Sequence, residues 1–375
     1  MPRVIGIDPG TITLDVCGLE DGRVFLDRSF PTSDALADPS VLVGLLESAE
    51  PLDLVAGPSG YGLPLIRAQD ICEADLQLAY LPDVSRRSAG GAKADESQPG
   101  GIRGLRALMR ALARSSVAVV LTPGVVHLPT VPAYRKVNRV DMGTADKVCA
   151  VALAVLDETR RRTCDPREVS FILLELGGAF SAALAVDAGQ IVDGLGGTSG
   201  PLGLRAAGAL DGEVACLAGS VTKQHLFGGG VATIAGAPEA DTERLAADTS
   251  ARARIAWDAY LESAVKAVAG LSVSAPNAAD VILSGRVAHI PRVHDELVRR
   301  ISVALPRARI RTLTGFGGTA KQGAQGAAVI ADGLAGGRFA PIVDALGIRG
   351  ASGTVLDHLY VISAADARAR LKLDS

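Results

Sequence analysis

Hydrophobic positions in this chain fall into two kinds of pattern. Short apolar runs bounded by glycine read as strands, and longer stretches with apolar residues every three or four positions read as helices. Residues 4–24 (VIGIDPGTITLDVCGLEDGRV) predict a strand, a turn holding Gly10, a second strand, a turn holding Gly22 and the start of a third strand. Residues 53–57 (DLVAG) and 116–121 (SVAVVL) predict further strands. An apolar helix is expected over 144–162, ending in Arg160, Arg161 and Arg162, cations that suit a helix C-terminus. In the second half, 242–269 predicts one long helix around Trp257, 280–283 (DVIL) a strand, 291–304 a helix and 319–335 a helix of small residues. The polar, Gly- and Ser-rich stretch 85–104 predicts a solvated loop or a lid. Strands alternating with helices predict an α/β fold, with mixed or parallel sheets covered by helices.

One pattern occurs twice. Residues 171–191 (FILLELGGAFSAALAVDAGQI) repeat the strand and turn order of residues 4–24. A shift of 167 positions lays Asp8 on Glu175, Gly10 on Gly177, Leu19 on Val186 and Gly22 on Gly189. In both copies an acid closes the first strand and a glycine follows two places later. A chain of 375 residues already implies about two domains at roughly 150 residues each, and the repeat suggests that the two are related.

Composition then removes whole classes of function. Lys and Arg number 38 against 41 Asp and Glu, a formal charge of −3, so there is no basic excess for nucleic acid. Aromatics are 3%, too few for base-stacking platforms, which leaves an aliphatic core. No apolar run approaches the ~18 residues of a membrane helix, and Asp8 inside the first apolar run argues against a signal peptide. Cys17, Cys72, Cys149, Cys164 and Cys216 are odd in number and widely spaced, which favours neither disulfides nor zinc and suits a cytoplasmic protein. The five histidines (His127, His225, His289, His294, His358) lack metal-ligand spacing. GFGGTA at 315–320 fits G-x-G-x-x-A, but no acid follows at the distance a dinucleotide site needs. No Gly-Lys dipeptide occurs, so a Walker A loop is excluded.

The repeated acid-glycine turn remains. A glycine turn between strands presents backbone N–H groups that suit phosphate oxygens, and a carboxylate beside it suits Mg²⁺ held through water. The same residues also describe two ordinary hairpins with an exposed acid. A third element, VILSGRVAHIP at 281–291, is a strand running through Ser284, Gly285 and Arg286 into a helix, a junction that lets a ligand approach the backbone.

Together, IGIDPGT, LELGGAFSAAL and VILSGRVA resemble, in order and spacing, the two phosphate motifs and the adenosine motif of the superfamily of acetate and sugar kinases, heat-shock ATPases and actin. Within it the chain resembles butyrate kinase and acetate kinase, through residues 174–214, VAGPSGYGLPL at 55–65, GTADK at 143–147 and the C-terminal AQGAAVIADGLAGG. A group of predicted butyrate kinases is the kind of family implied. The resemblance spans about residues 3–337 and implies two duplicated RNase H-like (actin-like ATPase) domains, with Mg-ATP in the cleft between them. The expected division is 1–142 and 143–375, with residues from 338 onward packing back on the first domain.

On that resemblance Asp8, Gly10 and Thr11 flank the phosphates on one side, and Glu175, Gly177, Gly178, Gly196 and Gly197 on the other. Ser284, Gly285 and Arg286 lie by the adenosine, Asp8 and Glu175 hold Mg²⁺, and Arg205 matches the family's catalytic arginine with a one-residue offset. Departures are pointed. The loop Gly57-Pro58-Ser59-Gly60 carries no arginine, and Met142, Asp146 and Glu175 stand where the relatives carry histidines. Carboxylates at 146 and 175 suit proton abstraction from a hydroxyl or water, or metal binding, and Arg135, Lys136 and Arg139 are the nearby cations that offset them for an acidic acceptor.

The expectation is therefore an ATP- and Mg²⁺-dependent phosphotransferase acting on a small molecule, with a short carboxylate as one candidate. The resemblance further implies a homodimer, and composition places it in the cytoplasm with neither nucleic acid nor membrane as partner. Two alternatives stay open: an ATP-bound regulatory or assembly protein with slow hydrolysis, and a scaffold that has kept the fold without the nucleotide.

Overall fold

The computed structural model describes residues 1–82 and 101–373. Eleven strands among them are β1 (Arg3–Pro9), β2 (Thr13–Glu20), β3 (Arg23–Pro31), β4 (Leu54–Pro58), β5 (Ile66–Arg67), β6 (Val119–Thr122), β7 (Phe171–Leu176), β8 (Ser181–Asp187), β9 (Gln190–Leu195), β10 (Asp280–Ser284) and β11 (Arg309–Thr312). Five helices run to thirteen residues or more: α1 (Gly101–Arg114), α2 (Ala145–Arg162), α3 (Ala251–Leu271), α4 (Pro291–Ala304) and α5 (Gln322–Leu334). No helix among the described residues is long and apolar enough to cross a membrane.

The chain divides into two units. Unit 1 holds Met1–Val140, Thr144–Glu168 and Thr314–Ser375, and unit 2 holds Asp141–Gly143 and Val169–Leu313. This departs from the expected division at 142/143. Helix α2 and the described residues after 313 belong to the first unit, and α5 buries its small face on the first sheet.

In unit 1 the sheet order is β3-β2-β1-β4-β6-β5, with β1 to β3 an antiparallel meander and β1, β4 and β6 parallel. Helix α5 lies on the centre of this sheet. A Cβ on Gly6 of β1 would stand 2.1 Å from the Ala324 carbonyl oxygen, so strand and helix backbones are in direct contact. On the other side, a Cβ on Gly326 would stand 1.8 Å from the Cys149 oxygen of α2. The small-residue composition of α5 is thus explained: it is squeezed between β1 and α2, where nothing larger fits. The preceding GFGGTA loop spends its amides internally. Asp27 accepts from Thr319 N at 2.7 Å and Ala320 N at 2.7 Å, Gln325 Oε1 from Phe316 N at 2.8 Å, and Asp157 from Gly315 N at 2.9 Å. It is a strapped structural loop, in keeping with its failed dinucleotide spacing.

In unit 2 the order is β11-β10-β7-β8-β9, again an antiparallel meander (β7 to β9) extended by parallel strands. Its core gathers Ile172, Leu174, Ala183, Leu283 and Val287 under α3, where Trp257 and Tyr260 meet edge to face at 5.4 Å. Trp257 donates its indole N–H to the Leu245 carbonyl at 3.0 Å, so its burial leaves no polar atom unsatisfied.

The two meanders superimpose at the level of register. Asp8 pairs Asp15 across β1/β2, and Glu175 pairs Ala182 across β7/β8, both related by the shift of 167. The second hairpins carry the same β-bulge, between Gly18 and Leu19 in one and between Ala185 and Val186 in the other, again 167 positions apart. Both turns after the bulge use left-handed backbone at equivalent places: Asp21 and Gly22 in one, Ala188 and Gly189 in the other. A bulge is a specific irregularity, so its repetition is strong evidence that one element was duplicated.

Two local expectations need correction. The helix expected over 242–269 is broken into Thr242–Ala247 and α3, because Asp248 accepts from Ser250 N at 2.8 Å and Ser250 caps Ala253 N at 3.1 Å. Of the expected loop 85–104, residues 85–100 lie outside the described residues, and 101–104 open helix α1.

Candidate functional site

The first acid-glycine turn is built wholly within unit 1. Asp8 is buried near the end of β1, with its carboxylate against the first turn of α5: a Cβ on Gly323 would lie 2.4 Å from Oδ2. Directly across the β1/β2 ladder stands Asp15, 1% exposed, so two carboxylates share one face of the hairpin. Opposed like charges destabilise a sheet unless a cation intervenes. That cation is Lys321, the residue capping α5. Its ammonium lies 2.9 Å from Asp15 Oδ2 and donates to the Thr13 carbonyl at 2.7 Å. A Cβ on Gly10 would stand 2.4 Å from Lys321 Nζ, so the ammonium occupies the space the missing side chain leaves. Thr32 anchors the turn from behind, donating its hydroxyl to the Gly10 carbonyl at 2.7 Å.

The Gly10 amide is not available to a ligand. It closes the turn, reaching the Thr13 carbonyl at 3.1 Å and the Asp8 carbonyl at 3.0 Å. The next two amides, those of exposed Thr11 and Ile12, have no acceptor among the described residues. Unit 2 repeats this arrangement. Gly177 N closes its turn on the Phe180 carbonyl at 2.9 Å, and the amides of Gly178 and Ala179 have no acceptor among the described residues. The amides of Gly10 and Gly177, expected to face phosphate, are thus spent on closing their turns. The amides left open lie one and two residues onward, at Thr11 and Ile12 in one turn and at Gly178 and Ala179 in the other.

Other expected residues of unit 2 divide by what they touch. Glu175 is half-buried near the end of β7, in register with Ala182 on one side and Ser284 on the other. Gly285 has φ of 84°, and a Cβ there would strike the Leu176 carbonyl at 2.4 Å, so only glycine fits this junction. Arg286 is exposed beside it, whereas Ser284 is fully buried. Gly196 approaches Asp141, whose Oδ1 would lie 1.7 Å from an added Cβ, and Gly197 packs on the Phe180 ring. Asp141 orders that loop by accepting from Thr198 N at 2.9 Å and Thr198 Oγ1 at 3.0 Å. Arg205 is engaged elsewhere: its guanidinium donates to the carbonyls of Pro238 and Ala240.

Asp146 belongs to unit 1, in the first turn of α2. Burial works against its ionisation, but the Lys147 ammonium at 2.6 Å and the Thr144 hydroxyl hold its carboxyl below the usual range. Nearby, Tyr80 is buried with no partner for its hydroxyl among the described residues, and burial followed by the Asp146 charge pushes that phenol up. His127 is 1% exposed, and neither ring nitrogen makes a well-formed hydrogen bond among the described residues. Its ring lies against Gly62, where a Cβ would stand 2.9 Å from Nδ1. Among the cations near here, Lys136 is buried and donates to the Leu128 carbonyl at 2.9 Å. Among the described residues no three His, Cys, Asp or Glu side chains cluster as metal ligands.

Sequence reasoning missed Lys321 and Asp15. Lys321 lies 308 positions from its partner Thr13, and only its place just before a small-residue helix hints that it caps a packed element.

A sequence search among curated proteins returns no match. Solved structures match by fold. Propionate kinase from Francisella tularensis subsp. tularensis aligns with a TM-score of 0.59 at 12% identity, over 88% of this chain and 98% of that one. Acetate kinase from Porphyromonas gingivalis aligns at 0.55 and 13% identity, over 87% and 98%. Acetate kinase from Entamoeba histolytica aligns at 0.54 and 12% identity, over 80% and 86%. The shared architecture is two mixed-sheet α/β domains flanked by helices, the duplicated actin-like ATPase fold. The family described as "Protein of unknown function (DUF1464)" matches residues 6–361, nearly the whole chain, and the protein belongs to that family.

Proposed function

We propose that the protein is an ATP- and Mg²⁺-dependent phosphotransferase acting on a small molecule, with short carboxylates among its candidate acceptors. One observation carries the reading. Two turns at equivalent positions of a duplicated element each follow an acid and each present two successive amides that have no acceptor among the described residues, the donor pattern that suits phosphate oxygens. The fold shared with proteins named acetate kinase and propionate kinase supports it.

In this reading the open amides of each turn, Thr11 and Ile12 in unit 1 and Gly178 and Ala179 in unit 2, donate to phosphate, Gly285 and Arg286 lie by the nucleoside, and the acid before each turn, Asp8 or Glu175, suits Mg²⁺ held through water. Mg²⁺, when bound, neutralises phosphate charge and orients the transferring group. Asp146, held ionised by Lys147, is the acceptor-side carboxylate. The reading extends to a homodimer in the cytoplasm. One observation favours the alternative of a slow ATPase with a regulatory or assembly role: the Arg205 guanidinium is committed to two backbone carbonyls.

The deciding experiment pairs thermal shift with an ADP-release screen over short carboxylic acids, hydroxy acids and sugars. We expect Mg-ATP at a hundredfold excess over its Kd to add about 2.7 kcal/mol of stability, and one acceptor class to accelerate ADP release. Binding without any accelerating acceptor selects the alternative, and the absence of any Mg-ATP effect removes both.

A further inference from the structure

We propose that Lys321 is the phosphate-binding cation of the first turn, a ligand contact held in place before the ligand arrives. The inference rests on the nucleotide reading above and adds a residue that the sequence motifs do not contain.

Three observations converge on this ammonium. First, its position is fixed. Nζ donates to the Thr13 carbonyl at 2.7 Å and pairs with Asp15 Oδ2 at 2.9 Å, and Thr13 Oγ1 donates to that same oxygen at 2.8 Å. An ammonium has three N–H donors, so one remains after these two contacts, and the side chain keeps 33% of its surface exposed. Second, it fills the space over Gly10, the residue just before the two acceptor-free amides of Thr11 and Ile12. A ligand oxygen reaching those amides therefore arrives beside a cation. Third, the local charge demands it. Asp8 and Asp15 face each other across the ladder, and carboxylates at this end of the hairpin work against a polyphosphate. Lys321 offsets one of them through its ion pair with Asp15. Asp15 Oδ1 is buried with no partner among the described residues, so the Lys321 ammonium on Oδ2 is the cation that offsets this buried carboxylate, and the pair keeps the lysine on the turn. Asp15 is thus the positioning residue and Lys321 the contact.

The test is calorimetric binding of ATP, ADP and adenosine, each with Mg²⁺, to the full chain. The variants are Lys321→Met, Lys321→Arg and the double variant Asp15→Asn/Lys321→Met. The double variant removes both charges together, so a buried unpaired carboxylate does not confound the result. We expect the Met variants to weaken ATP by about 10- to 100-fold, the loss of one charge-assisted hydrogen bond. Adenosine affinity should be unchanged, and Lys321→Arg should retain part of the ATP affinity. If wild type binds ATP and the Met variants bind it equally well, Lys321 is not a contact and the proposed function stands. If ATP and adenosine weaken together, the role is structural and the inference fails. If wild type binds no nucleotide, the functional reading falls and this inference with it.

Discussion

His127 joins two features that seldom coexist: nearly complete burial and two ring nitrogens that no well-formed hydrogen bond engages among the described residues. Burial, reinforced by the Lys136 ammonium and only partly opposed by Gly124 and Asp357, pushes its pKa from 6.5 down to about 4. Between those values the unfolded chain binds more protons than the native one, so stability rises with pH across this window. The contribution is fully present above pH 6.5 and is lost as pH falls toward 4, up to about 3 kcal/mol in all. We expect urea midpoints of wild type to drop between pH 7 and pH 4.5 by clearly more than those of His127→Leu, which has no ring to charge. Parallel profiles for the two proteins would show that His127 does not titrate in this window. At this scale the sequence exposes the acids and glycines of the turns, because a strand ending in an acid followed by glycine is a local pattern. It does not expose Lys321, whose role depends on a contact 308 positions away. Nor does it show that the glycine amides close the turns while the next two stay open, since that needs the hydrogen-bond geometry.

Among the helices, α5 depends most on the absence of side chains. A Cβ at Gly326 would fall 1.8 Å from a backbone oxygen of α2, and backbone cannot swing aside as a side chain can. Gly326→Ala should therefore lower stability by about 1–3 kcal/mol, an overpacking effect that exceeds Ala's better helix propensity. Gly44, inside the helix Ser40–Ser48, faces open space: a methyl added there would meet nothing within 4 Å. At that position the same substitution should raise stability by about 0.5–1 kcal/mol. Thermal melts of the two variants check the pair, and a Gly326→Ala protein as stable as Gly44→Ala would refute the packing described for α5. Element boundaries are readable where punctuation is local, as at Pro291, where the expected helix 291–304 begins. The break at Asp248–Ser250 is nonetheless masked, because the apolar period runs on through it.

At the scale of the whole molecule, the duplication is legible and the partition is not. Register and bulge repeat at the shift of 167 that the residues suggest, but local pattern cannot tell which sheet a helix covers. Unit 1 takes its central helix α5 from beyond residue 313, whereas unit 2 is continuous from Val169 to Leu313 apart from Asp141–Gly143. Unit 2 also has its own apolar core, which contains the only tryptophan, Trp257. These facts make opposite forecasts for two truncations. The fragment 169–313 should unfold cooperatively and show the blue-shifted emission of a buried indole. Loss of Asp141 removes the acceptor of Thr198 N, a cost of about 1–3 kcal/mol that the fragment should survive. The fragment 1–313 lacks α5, and with it the cover over Gly6 and the centre of the first sheet. Its unit 1 segments should be cleaved rapidly by protease while the Trp257 emission stays blue-shifted. The opposite pair of results, an unfolded 169–313 and a protease-resistant 1–313, would show that the two units are not the ones that hold the chain together.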